Sequence, residues 1–136
     1  MRFGPLLVWA LAAAACAAPQ PLSRENLVAR IDALIGSAAC ESDAQCRTIG
    51  IGSRPCGGPA GYRPWSTAHA DAAALQSAAD ALTQFDRAEA ERLGLRSTCQ
   101  VIPDPGAVCR PAAEGGRRCR LAAPGPAGQA GGASAI

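Results

Sequence analysis

The chain has 136 residues and a formal net charge of +2, so it lacks the field that would steer it onto nucleic acid. That length holds one small domain and leaves no room for two. With two Phe, one Tyr and two Trp, aromatic burial supplies little stability, and seven cysteines point to covalent crosslinks in its place. All 13 basic residues are arginine, and Ala, Gly and Pro are abundant, a pattern that reads as the codon bias of a GC-rich genome.

Met1-Arg2-Phe3 forms a positive n-region and Gly4 to Ala15 an apolar core, which identifies residues 1–15 as a signal peptide. The apolar run is shorter than the ~20 residues a transmembrane helix needs. Two cleavages compete. Ala13-Ala14-Ala15-Cys16 resembles a bacterial lipobox, in which the Cys16 thiol is acylated, although a lipobox favours Leu where Ala13 stands. Ala15-Cys16-Ala17 also satisfies the small-x-small rule of ordinary signal peptidase, which would leave a soluble periplasmic or secreted protein. Lipid attachment at Cys16 is the expectation adopted, with acyl chains as the contact with the membrane. More than one chain gives stable anchoring, at about 0.8 kcal/mol per buried methylene. Residues 16–22 then form the lipidated N-terminus and a short, proline-stiffened tether.

Residues 23–121 are expected to form the domain. Leu27, Val28, Ile31, Leu34 and Ile35 share one face of a helix over about residues 24–35, capped by Ser23 and ended by Gly36. Arg47 to Ile51 is a strand candidate, halted by Pro55 and Gly57-Gly58-Pro59. From Asp71 to Leu93 the pattern is helical again, with Leu75, Ala79, Leu82, Phe85 and Leu93 on one side. Ser66, Thr67 or Asp71 is its N-cap, and Gly94 suits its C-terminus. Ser97 to Ile102 is a second strand candidate. Ala107–Arg110 and Arg117–Leu121 flank Glu114-Gly115-Gly116 as a β-hairpin. Residues 122–136 lack any apolar period and are expected to be a disordered tail.

Either fate of Cys16 leaves Cys40, Cys46, Cys56, Cys99, Cys109 and Cys119 to pair. Three precede the long helix and three follow it, so full pairing forces an odd number of bridges across it. A crossing bridge such as Cys56 to Cys99 contributes about 4 kcal/mol in the loop-entropy account. The 15 possible connectivities stay open at this level. The C-x5-C and C-x9-C spacings do not suit zinc knuckles, and no C-x-x-C is present. No cofactor or metal is therefore expected.

Cys40-x5-Cys46-x9-Cys56-Gly57-Gly58-Pro59-x2-Tyr62, followed by Ser66-Thr67, Asp71, a long helix and a last cysteine pair, resembles small exported bacterial cysteine-rich proteins with a PCGGP-x2-Y core. The similarity spans roughly residues 39–121. Trp65 stands where such proteins carry a second tyrosine, and the hairpin turn is longer. The resemblance implies the fold and the compartment, and offers no catalytic residue to carry over.

Tyr62, Arg63 and Trp65 form a candidate binding surface, with the alternative that the two aromatics cover the end of the core. Arg110, Arg117, Arg118 and Arg120 concentrate charge on the hairpin, either for an acidic envelope protein or glycan or as guards of an edge strand. The loop at Arg54 has the form of a site offered to a trypsin-like protease, but Pro55 directly after it opposes a substrate-like fit. His69 lies near Ser66 and Asp71 in sequence, where a solvated histidine is expected over a triad. The expectation is an α+β domain: two helices on a small antiparallel sheet made by residues 47–51 and the hairpin, with three disulfides. As a function it suggests a monomeric, non-enzymatic envelope lipoprotein, with a secreted protease or hydrolase inhibitor as the alternative.

Overall fold

The computed structural model describes residues 22–123; the expected signal peptide, Cys16, most of the expected tether and residues 124–136 of the expected tail lie outside the described residues. Two helices and two antiparallel two-stranded sheets make an α+β fold with three disulfides.

Helix α1 spans Arg24–Ile35 and buries Leu27, Ile31 and Ile35. The Ser23 hydroxyl accepts from the Asn26 N–H at 3.2 Å, satisfying a donor with no partner inside the helix. Helix α2 spans Ala72–Leu93 and buries Leu75, Ala78, Ala79 and Leu82. Of the three candidate caps, Asp71 is the one used: its carboxylate accepts from the Ala73 and Ala74 N–H groups at 2.9 and 3.0 Å. Gly94 follows in the left-handed region at φ 61°, so the Leu95 N–H reaches back to the Ala90 carbonyl. Leu93, expected on the buried stripe, is 53% exposed, because the stripe ends at Phe85 as α2 outruns the core.

The helices run antiparallel, with Arg24 at the start of α1 bonded to Asp86 in the last turns of α2 at 2.9 Å. The Asp86 side chain is only 10% exposed and also accepts from the Ser53 N–H at 3.1 Å. Gly52 lies against this carboxylate at φ +69°, and a Cβ there would stand 2.5 Å from its Oδ2. Glycine meets both conditions.

Strand β1, Cys46–Ile51, pairs with β2, Gly61–Ser66, from Cys46 opposite Ser66 to Ile51 opposite Gly61. This corrects the expected partner of β1, which was the C-terminal hairpin. The stop signal at Pro55 and Gly57-Gly58-Pro59 is the loop of a hairpin whose second strand holds Pro64, tolerated because each strand of a two-stranded ribbon has a free edge. Ile49 and Ile51 face the helices, as does Arg63, which meets Asp32 of α1 at 3.3 Å.

The opposite face of the ribbon carries Cys46, Thr48 and Tyr62 and is covered by β3, Ala107–Pro111, and β4, Arg117–Leu121. The second edge of β4 is taken by residues 38–40, through Cys119 N–H to the Ala38 carbonyl at 2.8 Å and Cys40 N–H to Arg117 at 3.1 Å. Residues 97–102 form no strand. Cys99 takes φ 56°, which breaks an extended run, and the segment is held by side chains of the first hairpin. The molecule thus has a proximal end, where the chain enters at Leu22 beside the β1–β2 loop and the end of α2. At the distal end Ser37, His69 and the β3–β4 turn border one cavity.

Candidate functional site

All six cysteines from Cys40 onward are paired: Cys40 with Cys109, Cys46 with Cys119, and Cys56 with Cys99. Each bridge crosses α2, which satisfies the odd-number rule with three. Cys109 and Cys119 stand opposite each other in the β3–β4 register, so their bridges lie side by side in the core. The sulfurs of Cys40, Cys46 and Cys119 lie within 4.8 Å of one another, a span suited to a metal. As disulfides they lack the thiolate charge that binds one.

The hairpin arginines divide by strand alternation. Arg117 leaves β4 on the face of Cys119, and its guanidinium donates to the Cys109 carbonyl at 2.9 Å and contacts the Cys109 sulfur at 3.4 Å. Its work is internal to the hairpin. Arg118 and Arg120 leave on the other face, with Arg110 opposite Arg118. Arg118 pairs with Glu114. Among the described residues, the side chains of Arg110 and Arg120 make no ion pair or hydrogen bond. Arg63, Arg118 and Arg120 border one groove of about 390 Å³, where Asp32 supplies the acidic side and Pro64 and Leu121 apolar walls.

The Tyr62, Arg63 and Trp65 cluster is split between faces of β2. The Tyr62 hydroxyl donates to the Ile102 carbonyl at 3.4 Å, under the 95–106 segment. Trp65 is half-buried against the core, with its indole N–H buried and without a partner. Only Arg63 reaches the groove. The reading of the aromatics as covers of the core edge describes Trp65, and no compact aromatic hot spot forms.

Arg54 is half-buried and donates to the Gln100 carbonyl at 2.7 Å, so its guanidinium folds back onto its own chain. His69 is exposed, while the neighbouring Ser66 is fully buried and Asp71 is occupied as the α2 cap. These three do not assemble as a nucleophile, base and orienting acid. Sequence reasoning did not single out Asp86, or Asp104, whose carboxylate accepts from the Thr48 hydroxyl at 2.6 Å. Their long-range partners leave no mark in the sequence; the one local contact is the Gly106 N–H, which donates to Asp104 at 2.8 Å. On the exposed side of α2, Arg92 holds the Glu89 carboxyl below its ordinary value by hydrogen bonding.

Among the described residues no helix is long and apolar enough to cross a membrane. Comparison with protein-family models, with curated proteins and with solved structures finds no match for this chain.

Proposed function

We propose that this chain is a non-enzymatic lipoprotein of the bacterial cell envelope, held by acyl chains on Cys16, whose disulfide-braced domain binds or supports another envelope component. The observation that carries the envelope reading is the pairing of the six later cysteines with one another, while acylation of Cys16 rests on the lipobox-like Ala13-Ala14-Ala15-Cys16. Three disulfides fit an oxidising compartment, and the lipobox-like run before Cys16 fits delivery to it. The unpaired Arg110 and Arg120, with the groove beside Arg120, favour an acidic partner. The inhibitor alternative draws no support from Arg54, since a substrate-like loop projects its recognition side chain and this one is tied to Gln100.

Metabolic labelling tests the anchor. Labelled palmitate is expected in the wild type and absent from Cys16→Ser, which should also leave the membrane fraction. An unlabelled, fully soluble wild type would overturn the proposal.

A further inference from the structure

Large exposed apolar side chains are unevenly distributed over the domain. Of the five among the described residues, Leu22, Leu93, Leu95 and Val101 belong to the proximal end, at 75%, 53%, 53% and 79% exposure, and only Leu121 lies elsewhere. Leu22, Leu95 and Phe85 border one groove of about 590 Å³, in which the carboxylates of Glu25, Asp86 and Glu89 also lie. Leu95 also borders the adjoining cavity, where Arg54, Arg87 and Arg96 supply three cations against the single carboxylate of Glu91. Val101 follows Gln100, whose carbonyl Arg54 holds. Large exposed apolar side chains ringed by charged ones can seat a surface at the boundary between lipid headgroups and acyl chains.

Position selects the occupant. The tether leaves the domain at Leu22, and the six Cα steps from Cys16 to Leu22 span at most about 20 Å when extended. An acyl anchor at Cys16 therefore holds the proximal end close to the bilayer, with the arginine groove bordered by Arg118 and Arg120 at the opposite end of α1. We infer that the proximal end, centred on Leu95 and flanked by Arg87 and Arg96, docks on the surface of the phospholipid bilayer and sets the orientation of the domain. This rests on the acylation of Cys16 proposed above. Docking directs the unpaired Arg110 and Arg120 away from the membrane, toward a partner in the aqueous space.

The test uses the full mature acylated chain in phosphatidylethanolamine/phosphatidylglycerol vesicles with brominated acyl chains, comparing Leu95→Trp with Ala113→Trp in the distal hairpin turn. Both variants retain Trp65 as a common background, and peptide mass spectrometry of each reports the acyl group and the three bridges. Leu95→Trp is expected to lose most of its added fluorescence to the bromines, and Ala113→Trp to keep it. Equal quenching at both positions, or none at either, with the acyl mass present overturns the docking and leaves the anchor standing. An absent acyl mass overturns both. Protection of Leu95→Trp by a second copy of the chain, seen as a dimer in sedimentation, also overturns it. Should Leu95→Trp fail to fold, hydrogen exchange of the wild type decides: vesicles should slow residues 93–101 and leave residues 112–116 unchanged, and the reverse pattern contradicts the inference.

Discussion

The two ends of this domain use disulfides differently. At the distal end Cys40, Cys46, Cys109 and Cys119 are 8%, 4%, 1% and 3% exposed, and their two bridges fill space that a larger core would give to aromatic rings. At the proximal end Cys56 and Cys99 are both exposed, and their bridge pins a segment without regular structure to the β1–β2 loop. The distal sulfurs serve as core packing as well as crosslinks. The proximal bridge is a staple alone.

Chain entropy does not separate the three, since loops of 69, 73 and 43 residues each correspond to about 4 kcal/mol when closed singly. Burial and overlap do. With Cys40–Cys109 intact, Cys46–Cys119 closes an effective loop of only about 16 residues, about six on one flank and ten on the other, worth about 3 kcal/mol. Each distal bridge therefore partly covers for the other.

The largest effect is expected when both distal bridges are removed by Cys→Ser at Cys40, Cys46, Cys109 and Cys119. Small exported domains lose about 2–5 kcal/mol per native bridge, so the cooperative thermal transition in circular dichroism should vanish. A transition that persists would show the sulfurs to be dispensable packing. Next, the pair Cys56→Ser and Cys99→Ser should cost about 2–3 kcal/mol in urea unfolding. Its increase in hydrogen exchange should be confined to residues 95–102, and spread into β3 and β4 would break the distinction between the ends.

Asp86→Ala sharpens the proximal side, because it strands the Ser53 N–H and the Arg24 guanidinium; a loss of about 1–3 kcal/mol is expected by chemical denaturation. Asp71→Ala, at the distal start of α2, removes one cap and should cost about 1 kcal/mol, with fraying limited to the first turn. A loss as large as that of Asp86→Ala would mean that the caps, not the carboxylate hub, tie the helices down.

The helices were legible because their signals are local. Apolar spacing gave both buried stripes, Ser23 and Gly36 bounded α1, and Asp71 and Gly94 bounded α2. The strands were less so. β2 hides behind Pro64, whose tolerance depends on there being a free edge, a fact of the assembled ribbon and not of the segment. Residues 97–102 hold the β-branched Thr98, Val101 and Ile102 but no neighbouring strand to pair with, and Cys99 leaves the extended region and is bonded to Cys56. The arginine cluster was visible as composition. Its division into Arg117, bonded back to its own hairpin, and Arg110, Arg118 and Arg120 on the other face follows from a register that only pairing fixes.

A non-reduced peptide map of the protein recovered from its host tests the account most directly. It should return Cys40–Cys109, Cys46–Cys119 and Cys56–Cys99 as the linkages, no alkylatable thiol among these six, and an acyl mass on an N-terminal Cys16. Free sulfurs at these positions, or a different pairing, would contradict the covalent core on which both the fold and the envelope reading rest.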